Sequence, residues 1–197
     1  MGGFFMSNKT KVLVEGAVMV ALATVLSYIR VFKLPWGGSI TLLSMLPIAL
    51  FSIRRGLKPG FMASFAFALI QFAQGIGDGL FGWGLTAGML IACIVLDYLG
   101  AFTVLGIAGI FRKNGIAGWI AGIAIAVGLR FVCHFLSGVV IWGSFGQLWD
   151  TFYTENTWLY SFVYNACYML PELIFTIIGA VVLLKAPHTK RLLIEDN

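Results

Sequence analysis

IAGWIAGIAIAVGLRFVCHFLSGVVIW, Ile116 to Trp142, is apolar for longer than the core helix of a soluble domain requires, yet it keeps Arg130 and His134 in its second half. About 20 apolar residues at 1.5 Å rise per residue cover the ~30 Å hydrocarbon layer of a bilayer, so this run reads as a membrane-spanning helix. The rest of the chain has the same character. Of its 197 residues, 60% are hydrophobic and 11% charged, with a mean hydropathy of +0.96, which excludes a soluble domain with a polar surface.

Comparable apolar runs lie at 12–32, 40–53, 60–76, 84–111, 116–142 and 158–185. They predict an all-α integral membrane protein of six transmembrane helices. The chain then forms a single domain over 1–197, with tails at 1–10 and 186–197. The second run is the shortest, with a firm end at Arg54 and Arg55. An even number of spans puts both termini on one side of the membrane. That side carries Lys9, Lys11, Arg54, Arg55, Lys58, Arg112, Lys113, Lys185, Lys190 and Arg191, whereas the other has Arg30 and Lys33 beside Asp78, Asp150 and Glu155. By the positive-inside rule both termini are cytoplasmic, and orientation accounts for the net charge of +5 better than nucleic acid does. Met1 and Met6 are both possible starts, and no cleavable signal sequence is expected.

Several chemistries are disfavoured. Cys93, Cys133 and Cys167 lie in apolar runs without CxxC spacing, so packed thiols are expected rather than a metal site or disulfides. There is no GxxxxGK[ST] phosphate loop, so an ATPase driving this protein would be another chain. HExxH, GxSxG and closely spaced carboxylates are absent as well, which argues against an enzyme.

A charge near the bilayer centre costs on the order of 2.5–3.5 kcal/mol on insertion scales, so each one requires a partner, a cavity or a function. Glu15 lies within a turn of the cytoplasmic end and can reach water. Arg130, His134, Gly138 and Trp142 follow at four-residue steps, which places cation, imidazole, gap and indole on one stripe. Arg130 is expected to pair with Asp97 or Glu172. Asp97, mid-span and followed by Tyr98, either takes that pairing or faces a cationic ligand. Asn165, Tyr168 and Glu172 share a face of the last span, whereas Tyr160 lies about 140° from Asn165. Pro171 removes a backbone donor from that helix. The outer loops LPWGG (34–38), GDGLFGWG (77–84) and WGSFGQLWDTFYTENTW (142–158) are rich in aromatic residues and glycine. One carboxylate, one imidazole, one amide and many ring faces suit a flat, nitrogen-rich organic cation.

RFVCHFLSGVVIWGSF (130–145) and YSFVYNACYMLPE (160–172), with GGSITLLSMLPI (37–48) and LDYLGAF (96–102), resemble the ThiT family. These are the thiamin-specific substrate-binding subunits, or S components, of energy-coupling-factor (ECF) transporters. The resemblance runs from the first helix to about residue 185, and HFxSGxxxW is its most specific element. It implies a six-helix S-component fold in a prokaryotic cell membrane that captures thiamin outside, needs no cofactor, and docks on a shared ECF module of a transmembrane coupling protein and two ATPases. The family's ligand positions fall on Trp36, Asp97, Tyr98, His134, Trp142, Tyr160 and Asn165, with Gly138 and Tyr164 in the same site. Position 97 is aspartate where the family's glutamate is expected, which shortens the acidic arm. Ala17 and Ala21 in EGAVMVALA match the alanine motif that contacts the coupling protein, and small residues at this spacing permit close helix approach.

Two other readings compete. One is a stand-alone secondary transporter with Asp97, Arg130, His134 and Glu172 as an ion relay, against which six spans without visible inverted repeats are few. The other is an intramembrane enzyme using His134 with a carboxylate as acid and base.

Overall fold

The computed structural model describes residues 7–34, 37–143 and 146–187. Helix α1, Asn8–Tyr28, begins where the Ser7 hydroxyl accepts from the Thr10 N–H at 3.2 Å. It stops four residues short of the predicted end. Arg30–Lys33 is instead a strand, β1, paired antiparallel with β2, Ser39–Thr41. Val31 and Phe32, ahead of Pro35 in the sequence, favour extended backbone over helix.

The run at 40–53 is corrected in the same way. Its first residues belong to β2 and a turn in which Leu43 takes a φ of 58°, and the helix α2 covers only Leu46–Arg55. Ten residues at 1.5 Å each reach about half the hydrocarbon depth. Gly56, at φ 87°, turns the chain into α3, Leu57–Gly77.

After a 3₁₀ turn at Leu80–Gly82 comes α4, Ala87–Cys93, whose Thr86 cap accepts from the Met89 N–H. The same span continues as a π-helix at Ile94–Gly100, then α5 at Ala101–Thr103, then a 3₁₀ stretch at Val104–Asn114. The chain kinks at Phe111 and folds back into α6, Gly115–Ser137, which ends in a second π-helical stretch at Gly138–Trp142. A second hairpin pairs β3, Gly146–Trp149, with β4, Phe152–Thr154. The last helix, α7, runs Thr157–Lys185 with Pro171 inside it, its first N–H groups capped by Asn156.

The fold is therefore mostly helical but not purely so. Four helical stretches among the described residues are long and apolar enough to cross a membrane: Asn8–Tyr28, Leu57–Gly77, Ala87–Trp142 and Thr157–Lys185. The third contains the fold-back, so its two arms correspond to the predicted runs at 84–111 and 116–142. Leu13, Val25, Met62, Ile91 and Val182 all face outward and are exposed. An outer surface as apolar as the core is the surface that lipid accepts.

Inside, small residues let backbones approach closely. The Ser52 hydroxyl donates to the Gly106 carbonyl at 2.5 Å and accepts from the Gly109 N–H at 3.1 Å, which fastens α2 to the 104–114 stretch. A methyl at Gly122 of α6 would meet the backbone of Ala108, whose carbonyl carbon would be 3.0 Å away, while one at Gly128 would meet nothing within 4 Å. One end of the bundle is fixed by Glu15 with Arg55 at 2.5 Å and Arg54 at 3.3 Å, the other by Arg30 with Asp78 at 2.6 Å.

Alanine in place of helical glycine gains roughly 0.5–1 kcal/mol where space is free. Gly128→Ala should therefore raise the melting temperature of the detergent-solubilised protein and Gly122→Ala should lower it, since a backbone carbonyl cannot yield as a side chain does. Shifts of the same sign in both variants would refute the packing argument.

Candidate ligand-binding site

The polar groups of the interior fall into two clusters, one helical turn apart on α6. The deeper one centres on Arg130. Its guanidinium lies 3.1 Å from the Glu172 carboxylate on α7, 2.9 Å from the Met45 sulfur, and over the Phe102 ring at 4.4 Å from the centroid. Of the two partners left open by the sequence, the structure selects Glu172. That carboxylate also accepts from the backbone N–H and the hydroxyl of Thr41, each at 2.6 Å. One buried anion thus ties α6, α7 and the end of the β1–β2 hairpin together.

The second cluster centres on Asp97. It lies in the π-helical stretch of the fourth span, where wider turns aim side chains differently from an α-helix and often mark functional sites. Its carboxylate accepts from His134 Nδ1 at 2.9 Å, from the Ser137 hydroxyl, and from the Cys93 thiol at 3.4 Å. A carboxylate only accepts, so Nδ1 carries the proton. The opposite nitrogen, His134 Nε2, is buried with no hydrogen-bond partner among the described residues. An unsatisfied buried polar atom costs about 1–3 kcal/mol, so it is a place where a ligand atom would be gained without loss elsewhere. The His134 ring is framed edge-on by Phe102 and Tyr168.

The remaining predicted positions are distributed unevenly around this pair. Tyr160 and Tyr164 stack with centroids 6.5 Å apart and planes 13° from parallel, and Tyr164 meets Tyr168 edge-on. The Tyr164 hydroxyl accepts from the Gly38 N–H at 3.0 Å, which fastens the β1–β2 loop to α7. Asn165 is spent within the protein: its amide donates to the Ser161 carbonyl at 2.8 Å and its carbonyl accepts from Tyr168 at 2.7 Å. Gly138 does not leave a gap, because Ser161 fills it, its Cβ within 3.0 Å of where a methyl would be. Tyr98 packs away from His134, on Gly75 and Phe72 of α3. Trp142 pairs with Trp83 of the 77–84 loop at 5.6 Å. Trp36 lies outside the described residues. Ala17 and Ala21 are exposed on α1, on the side away from buried Gly16 and Ala23.

Cys93, Ser137 and Trp83 were not among the expected site residues. Two of them carried a usable signal: Cys93 precedes Asp97 by four residues and Ser137 follows His134 by three, the spacings of same-face neighbours.

An apolar helical bundle with a few polar groups turned inward, His134 Nε2 among those left unsatisfied, defines a multi-pass membrane protein. Over residues 13–192 the chain matches the family described as thiamine transporter protein (Thia_YuaJ), and it belongs to that family. It is 32% identical to the thiamine transporter ThiT of Bacillus subtilis, covering 94% of this chain and 95% of the relative. The thiamine transporter ThiT of Lacticaseibacillus paracasei is 30% identical over 88% and 86% of the two chains. A solved structure of ThiT from Listeria monocytogenes superposes with a TM-score of 0.69 over 93% of this chain and 98% of that one, and at 24% identity it shows the shared fold. The family is one of bacterial membrane transporters and not of enzymes.

Breaking one partner of a buried ion pair typically costs about 3–5 kcal/mol, because the other charge is left alone. Arg130→Met should lower thermal stability by that order, and Arg130→Met with Glu172→Gln should recover part of the loss. A double variant no more stable than the single one would show that the two charges are not coupled.

Proposed function

We propose that the chain is the thiamin-binding S component of an ECF-type importer, taking up the vitamin outside the cell and passing it inward through an ATP-driven module. The observation that carries this reading is the unpartnered His134 Nε2 beside the Asp97 carboxylate, inside a bundle related to proteins named for thiamine transport. Thiamin joins a thiazolium cation to an aminopyrimidine ring, so it needs a counter-charge, ring faces and a few directed hydrogen bonds. Asp97 supplies the charge. With Nδ1–H given to Asp97, His134 in its neutral form offers Nε2 as an acceptor for the amino group of the pyrimidine. The stacked Tyr160 and Tyr164, with Trp142, offer the faces that attract a delocalised cation. Asn165 serves through Tyr168 and the α6–α7 contact, so its effect on the ligand is one of position.

In this reading six helical segments cross or enter the membrane, with both termini cytoplasmic. Support comes from the meeting of Arg54, Arg55, Lys58, Arg112 and Lys113 at one end of the bundle, while Arg30 and Asp78 pair at the other. The ECF module binds on α1 at Ala17 and Ala21, whose exposed methyl groups permit close helix contact.

Thiamin should quench the tryptophan fluorescence of the purified protein with nanomolar-range affinity. Asp97→Asn and His134→Ala should each weaken binding by at least tenfold, equivalent to about 1.4 kcal/mol. Quenching by riboflavin or biotin with no response to thiamin would overturn the substrate. Proton-driven uptake by this chain alone in ATP-depleted vesicles would overturn the S-component role in favour of a secondary transporter.

A further inference from the structure

The turn from α2 into α3 and the 3₁₀ stretch ending at Asn114 border an open cleft of about 420 Å³ at the basic end of the bundle. Its lining includes Arg55, Lys58, Arg112 and Lys113, and no carboxylate. Arg55 already shares its charge with Glu15 at 2.5 Å. Lys58, Arg112 and Lys113 have no ion pair among the described residues, which leaves three cations around one open volume.

Orientation of the chain in the membrane explains why this end is basic, but it does not require the charges to converge. The convergence is built. Gly56 combines a φ of 87° with the absence of a side chain, and the Arg112 guanidinium lies against it, its Nη1 2.8 Å from where a methyl would sit. The backbone of Arg112 is held in turn by the Trp119 indole, which donates to its carbonyl at 2.6 Å. The first turn of α3, Leu57 to Pro59, forms another wall, and the N–H groups of Leu57 and Lys58 have no side-chain cap. The positive end of a 21-residue helix therefore faces the same volume as the three side chains. Beside the cleft, Leu57, Phe61, Ile110 and Phe111 are exposed. They provide an apolar flank where the basic end meets the lipid.

We propose that this cleft binds the phosphate headgroup of an anionic phospholipid, with the acyl chains lying along Leu57, Phe61, Ile110 and Phe111. A phosphate matches three converging cations and free backbone donors, and basic pockets between membrane helices at the cytoplasmic side suit such headgroups. The apolar flank favours a lipid over soluble phosphate, which would make no use of it. The site is independent of the ligand proposed for Asp97 and His134.

Native mass spectrometry of the full chain with dioleoyl phosphatidylglycerol or dioleoyl phosphatidylcholine tests this. Phosphatidylglycerol should be retained saturably, phosphatidylcholine at least tenfold less, and millimolar inorganic phosphate should not displace the lipid. Lys58→Gln with Lys113→Gln leaves the Arg112–Gly56 contact in place and should weaken retention at least tenfold. Lys9→Gln with Lys11→Gln removes the same charge from the same end but outside the cleft, and should change retention less than twofold. Equal losses in the two double variants would reduce the effect to net charge and overturn the site. Displacement by inorganic phosphate would assign the cleft to a soluble anion and overturn the lipid. If the Lys58/Lys113 variant loses its fold, judged by its melting curve, Lys58→Arg with Lys113→Arg must retain the lipid for the proposal to stand.

Discussion

A guanidinium buried among apolar helices has to be neutralised where it lies, and the pairing of Arg130 with Glu172 meets that demand at the middle of the bundle. The desolvation cost of two such charges is repaid only by close geometry and further hydrogen bonds. Here Thr41 supplies two, and Met45 and the face of Phe102 complete the shell. Because Thr41 ends β2, neutralising the charge also fixes where the β1–β2 hairpin enters the bundle. Phe102 touches both residues, lying under the Arg130 guanidinium and meeting the His134 ring at a T-shaped contact. One aromatic ring thus packs against the charge that holds the helices together and against the Asp97–His134 pair.

The long helical runs were legible in the sequence because lipid leaves a strong signal: no water competes for backbone groups, so a spanning helix must be apolar throughout. The ends of those runs were not. Val31 and Phe32 are as apolar as helix residues, and hydropathy alone cannot tell a hairpin at the membrane boundary from another turn of helix. Spacing arguments worked where the helix is regular. Arg130 and His134 do share a face of α6, and each reaches a different acidic partner. They gave no guide where it is irregular: in the two π-helical stretches Trp142 meets Trp83 and Tyr98 meets Phe72, contacts that a four-residue step does not indicate. The partners of Asn165 were unreadable for another reason. Whether a buried amide serves a ligand or its own fold depends on what packs beside it, here Ser161 and Tyr168.

Family membership and the interior chemistry bear on different questions. The match over residues 13–192 places the chain among thiamine transporter proteins, whereas the geometry indicates which groups remain available. Asp97 has its donors, Asn165 has its partners, and His134 Nε2 has none. A buried atom left open in this way favours a molecule that brings it a hydrogen bond over one that does not.

The brevity of α2 has a consequence for how the centre of the bundle is built. Ten residues cover about half of the hydrocarbon layer. Seven of them, Leu46 to Ala49 and Phe51 to Ile53, are buried, as are Ser44 and Met45 just ahead of them. Neighbouring helices therefore stand between this column and the lipid, and the turn that continues it is covered by protein, the setting in which non-helical backbone is tolerated at membrane depth. A helix too short to cross a bilayer by itself is usable at this position because its neighbours, and not the bilayer, surround it.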